Sequence, residues 1–187
     1  MENFGFVSYG QSFGAAGVMG GLYSQIASSA PITNTLAETS LLDGGIGTLT
    51  VPANGFQVGD AFKFDMFGHI SSLNNVDLRI KVKANSTILG DTGLLRLPQT
   101  TAKHWNFEVN FTIRAIGGAG VASIQSAGIF NYSKNASNAF EGAQFVTIEN
   151  TNFNTTIANT LSITAQWASA SASNIIYSDT FNLYKIY

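Results

Sequence analysis

Trp105-Asn-Phe-Glu-Val-Asn-Phe-Thr-Ile-Arg114 alternates without a break. Trp105, Phe107, Val109, Phe111 and Ile113 fall on one side, and Asn106, Glu108, Asn110, Thr112 and Arg114 on the other. Side chains of an extended chain point to opposite faces in turn, so this period of two predicts a β-strand with one face in a core and one in solvent. A helix would need apolar residues three and four apart. The same period recurs on both sides of this run. Leu78, Ile80 and Val82 alternate with Arg79, Lys81 and Lys83; Phe62, Phe64 and Met66 alternate with Lys63, Asp65 and Phe67. Further on, Leu161, Ile163, Ala165 and Trp167 alternate with Ser162, Thr164 and Gln166. Residues 46–51, 87–97, 121–132, 145–148 and 175–186 complete the set, punctuated by Pro52-Ala-Asn-Gly55, Pro98 and Gly117-Gly118. Short strands between turn formers, with no amphipathic helix, predict an all-β fold: a single sandwich or jelly roll of about eight strands.

Residues 1–31 follow another pattern. Phe4, Phe6, Tyr9, Phe13 and Tyr23 are spaced among Gly5, Gly10, Gly14, Gly17, Gly20 and Gly21, and Pro31 closes the segment. That glycine density disfavours a helix and lets a backbone approach another surface closely. The pattern predicts an extended N-terminal assembly arm over residues 1–31, with Phe4, Phe6, Tyr9 and Phe13 inserting into a neighbour. A domain of residues 32–187 is expected to fold without it, so that a chain starting at Thr33 keeps its stability. A loose tail is the alternative reading.

Of the 187 residues, 45 % are hydrophobic and 14 are Phe, while only 11 % are charged. An ordinary soluble domain carries about a quarter. The polar surface must therefore come from Asn, Thr, Ser and Gln, which suits a protein packed against neighbours. A net charge of −2 exerts no general pull on nucleic acid or on an anionic membrane surface. The absence of Cys excludes disulfides and thiolate metal sites. Apolar runs stay short of the 18 or so residues of a membrane-spanning helix, and Met1-Glu2-Asn3-Phe4 lacks the basic start of a signal peptide.

Motifs for catalysis are missing from the sequence. His69 and His104 do not form an H-x-x-x-H pair, and there is neither a G-x-S-x-G elbow nor a phosphate-binding glycine loop. No catalytic, cofactor or metal residue is assigned, and the chain is expected not to be an enzyme. Asp43, Asp60, Asp65, Asp77, Asp91, Glu108, Glu141 and Glu149 are scattered. A carboxylate pair across a cleft, or a Ca²⁺ loop at Asp60 or Asp91, is the functional reading; capping of turn amides is the plain one. Arg79, Lys81 and Lys83 form a basic stripe that faces an acidic neighbour or nucleic acid, or else a solvated face or guarded edge. Trp105 and Trp167 keep the apolar phase of their strands, which places them in the core rather than against a sugar.

Gly47-Thr-Leu-Thr-Val-Pro-Ala-Asn-Gly-Phe-Gln-Val-Gly-Asp60, Leu161-Ser-Ile-Thr-Ala-Gln-Trp-Ala-Ser-Ala-Ser-Ala-Ser-Asn-Ile175 and Phe181-Asn-Leu-Tyr-Lys-Ile-Tyr187 resemble segments of jelly-roll structural proteins of double-stranded DNA viruses and tailed phages. The resemblance implies a virion component and carries over no catalytic or binding residue. The expectation is a small capsid protein of penton type. It would assemble as a homo-oligomer, a pentamer before a trimer, against a major capsid protein or other virion proteins. A trimeric receptor-binding head and a carbohydrate-binding module are the alternatives, with a host glycan or receptor as partner.

Overall fold

A computed structural model of the chain describes residues 20–135 and 139–187. Among the described residues there are fourteen strands and no helix. They are β1 (Gly20–Gln25), β2 (Ile32–Thr33), β3 (Thr39–Ser40), β4 (Gly45–Gly47), β5 (Thr50–Val51), β6 (Ala61–Ser72) and β7 (Val76–Ala84). There follow β8 (Thr87–Asp91), β9 (Leu95–Leu97), β10 (Thr100–Ile116), β11 (Ala122–Ser133), β12 (Phe140–Glu149), β13 (Asn159–Trp167) and β14 (Ile175–Lys185). Two antiparallel sheets make a β-sandwich. The larger has the order β12-β11-β10-β6-β14-β1-β4, with β2 also on β14. The smaller has the order β3-β13-β7-β8, with β5 also on β13 and β9 on β7.

The core lies where the inner faces meet, and the period of two supplies it. Along β6 and β7 every second residue is buried, as the alternation predicts. Antiparallel register then sets these residues side by side: Phe111 opposite Phe62, Val109 opposite Phe64 and Phe107 opposite Met66. Phe64 packs its ring 5.4 Å from Phe107 and 5.4 Å from Phe181, linking three long strands through one side chain. Trp105 and Trp167 are buried, each with its indole N–H satisfied, by the His69 and Ile32 carbonyls respectively at 3.0 Å. Each such side chain contributes about 1.5–3 kcal/mol when fully buried.

Two expected strands are each broken in two by a glycine. Residues 46–51 divide into β4 on the larger sheet and β5 on the smaller. Gly47 has φ +110°, which no L side chain adopts easily, and Thr48 Oγ1 accepts the Thr50 amide in a tight turn. The chain thereby crosses from one layer to the other within three residues. Residues 87–97 divide at Gly93, φ +65°, into β8 and β9, which both pair with β7.

The larger departure concerns the boundary at Pro31. Phe4, Phe6, Tyr9 and Phe13 lie outside the described residues. Residues 20–31, however, are built into the sandwich. β1 pairs with β14 on one side and β4 on the other, and Tyr23 packs 5.9 Å from Phe181. Gln25 Nε2 donates to Ser178 Oγ at 3.0 Å, and Ser29 exchanges two hydrogen bonds with the Ser178 backbone. The glycines obscure this strand in sequence because they interrupt its alternation. Close packing requires glycine on the neighbouring strand instead: a Cβ on Gly45 of β4 would lie 2.6 Å from the Tyr23 ring, whereas one on Gly20 or Gly21 would meet nothing within 4 Å.

A chain beginning at Thr33 therefore loses β1, the buried Ile32 and the acceptor of the Trp167 indole. Compared with one beginning at Gly20, it should be destabilised by about 3 kcal/mol or more in denaturant unfolding. Equal stability would show that residues 20–32 are dispensable.

Candidate assembly surface

The outer face of the larger sheet changes character across its width. At its centre, Lys63 on β6 lies 2.9 Å from Asp65 and 3.5 Å from Glu108 on β10, a solvated ionic group. Following the register outward, Asp65 is level with Glu108, then Ile129 on β11, then Gln144 on β12. The row beside it runs from Lys63 through Asn110 and Ala127 to Val146. Charge gives way to apolar side chains towards β12, where Phe140, Val146 and Ile148 are 75 %, 66 % and 58 % exposed.

β12 also ends the sheet. Among the described residues, no strand pairs with its outer edge. Natural edges are usually guarded by Lys, Pro, bulges or short length. β12 has ten residues, no Lys, Arg or Pro, and a ladder to β11 without a register shift. It is held in place from its inner face. Phe145 packs between Gly128 of β11 and Gly90 of β8, and a Cβ on either glycine would lie about 2.5 Å from its ring. Glu141 accepts the Tyr132 hydroxyl at 2.6 Å and pairs with Lys134 at 3.0 Å, which lowers its carboxyl pKa.

The other candidate residues are committed to structure. The basic stripe sits on β7, inside the smaller sheet rather than at an edge, and all three cations are paired. Arg79 forms a two-pronged bond with Asp91, while Lys81 and Lys83 both bond Glu38. Lys81, Lys83 and the Thr164 hydroxyl hold the Glu38 carboxyl down to about 2 against the opposing effect of burial. The stripe thus offers no free row of cations to nucleic acid. The acids are engaged as well: Asp60 with Lys185 at 2.7 Å, Asp77 with Arg96 at 2.5 Å, and Glu149 with the Thr151 and Asn152 amides. Asp43 accepts the Gly44 amide at 2.6 Å.

One cluster is not apparent in the sequence. His69 of β6 and His104 of β10 are cross-strand partners with rings 4.3 Å apart, and Tyr177 of β14 stacks on His69 at 5.4 Å. Between Ser178 and Thr180 the β14 ladder shifts register. The extra residue, Asp179, bonds His69 Nδ1 at 2.6 Å and accepts the Ser28 hydroxyl at 3.0 Å. Among the described residues no hydroxyl is bonded to either imidazole, and no three His, Cys, Asp or Glu side chains could hold a metal ion. The pair fixes the His69 ring and ties residue 28 to β14. Between the sheets lies an apolar cavity of about 70 Å³, bordered by Leu22, Phe56, Phe153 and the Asp60–Lys185 pair. That is roughly half of the ~150 Å³ that admits benzene, and too small for a sugar ring. Among the described residues no helix is long and apolar enough to cross a membrane.

No protein-family profile matches the chain, and no curated protein matches it in sequence.

Glu38 makes a pH prediction. Its folded pKa lies below the ordinary 4.5, so its contribution is present above that value and is lost as pH falls from about 4.5 to about 2. Glu38→Gln should cost about 1–3 kcal/mol at pH 7, because Lys81 and Lys83 lose their charged acceptor. The gap between variant and parent should narrow as acid denaturation is followed towards pH 2. A gap independent of pH would rule out the ionic origin.

Proposed function

We propose that the chain is a jelly-roll structural protein of a virus particle, a small capsid component of penton type. It works by packing against copies of itself and against other capsid proteins. The strand pairing supports the winding. β3 and β5 share one edge of β13, and β8 and β9 share one edge of β7, so each couple fills a single strand position. The chain then folds back on itself as a long double ribbon: β1 with β14, β3/β5 with β13, β6 with β10, and β7 with β8/β9. Rolling up such a ribbon sets β14 beside β6 and β13 beside β7, as observed, and gives the two four-strand layers of a jelly roll. The β11–β12 hairpin is an insertion after the sixth position that widens one layer.

The observation that carries the function is the outer face of that insertion. It is an apolar patch running to an unguarded edge, on a chain with few charges to keep it apart from neighbours. The remaining chemistry points the same way, since the acids and cations of the described surface are mostly spent on one another. A jelly roll alone does not decide among capsid, fibre-head and glycan-binding roles, so the symmetry of the assembly decides. Electron microscopy of the purified protein should show five-fold rings. Three-fold particles would replace the vertex reading with a receptor-binding head. A monomer at all concentrations would overturn assembly.

A further inference from the structure

We propose that β12 is a self-complementary edge through which two copies of the chain pair antiparallel, about a two-fold axis at Gln144. Their larger sheets would merge into one. The proposal rests on the assembly reading and adds the partner and the register at this site. Three constraints lead to it. The first is the patch itself: Phe140, Gly142, Gln144, Val146 and Ile148 share the outer face, and no described strand pairs with the edge beside them along its ten residues.

The second constraint is parity. Residues directly opposite each other in an antiparallel pair lie on the same face. Two copies related by an axis perpendicular to the sheet keep their outer faces on one side, so an outward residue must meet an outward residue. A slip by one would turn the apolar set of one copy onto the inner face of the other.

The third is charge. Among registers that satisfy parity, centring on Phe145 sets Glu141 directly opposite Glu149 of the other copy, twice over. Like charges directly opposite each other destabilise a pair. Centring on Ala143 leaves Thr147, Ile148 and Glu149 beyond the end of the partner strand. Centring on Gln144 avoids the charge clash and leaves only Glu149 beyond the partner strand's end. Phe140 then meets Ile148, Gly142 meets Val146, and Gln144 meets Gln144, while Glu141 faces Thr147 and Ala143 faces Phe145. The apolar side chains pair across the seam, and no two carboxylates oppose each other.

Such a contact is isologous: it joins one copy to one other and cannot by itself close a five-membered ring. In a penton-type assembly it would link a subunit of one ring to a subunit of another.

The chain has no Cys, so one introduced thiol reports the register. At the axis the two Gln144 Cα atoms should lie about 4.5–5.5 Å apart, within disulfide range. Gln144→Cys is solvent-facing and should form a covalent dimer on mild oxidation. Val146→Cys, whose copies would be offset by four residues or about 13 Å, should give about tenfold less. Ala143→Cys should also cross-link poorly; if it exceeds Gln144→Cys, the register is wrong and the proposal fails. If native mass spectrometry shows oligomers but Gln144→Cys gives no dimer, the pairing falls and the assembly reading stands. A strictly monomeric parent chain sinks both.

Discussion

The structure depends on a ladder of aromatic rings across the inner face of the larger sheet. Phe64 contacts both Phe181 and Phe107, and Phe107 reaches both Phe130 and Phe145 at 6.0 Å. β14, β6, β10, β11 and β12 are thus joined through side chains as well as through their hydrogen bonds. The ladder ends at Phe145, seated between two glycines. That seat allows a strand with an otherwise exposed face to persist at the rim of the sandwich. Without it, β12 would be a hairpin arm held only by β11, and an isolated two-stranded ribbon is marginal in water.

Everything that gives the outer surface its character follows from that inward commitment. Many of the described aromatics have been drawn inside, both tryptophans included, and the few charges are used in local pairs such as Lys63 with Asp65 and Glu38 with two lysines. Ion pairs of this kind contribute modestly at a surface. They do, however, leave little net field to repel a neighbour. A surface of amide and hydroxyl side chains, bounded at one edge by Val146, Ile148 and Phe140, is suited to contact with protein. It presents no assembled set of nucleophile, base and acid among the described residues.

Much of the architecture was legible from period-two runs, because alternation depends only on which face is wet. The long strands β6, β7, β10, β11, β13 and β14 were read in this way, as was the burial of Trp105 and Trp167. What alternation cannot express is which layer or which edge a strand occupies. Residues 46–51 read as one strand because the sequence has no marker for a change of sheet except Gly47, whose positive φ is visible only in the fold. β1 reads as arm in the sequence because Gly20 and Gly21 interrupt the alternation that would mark it as a strand. The Arg79–Lys83 stripe looked free because its chief partner, Glu38, is more than forty residues away in sequence. The His69–Asp179 contact depends on a bulge, which shifts a side chain by one position and leaves no trace in composition. The candidate surface was invisible for a related reason: no residue in Phe140–Glu149 says that this strand, rather than another, comes last.

If the proposed assembly is right, the outer edge of β12, which no described strand covers, becomes covered when copies of the protein associate. Amide hydrogen exchange measured across Phe140–Glu149 over a range of protein concentrations tests it directly. The expected result is fast exchange of the edge-facing amides in dilute protein and marked protection once oligomers form, with little change in β6 and β10. Exchange in β12 that is equally fast in monomer and oligomer would contradict it.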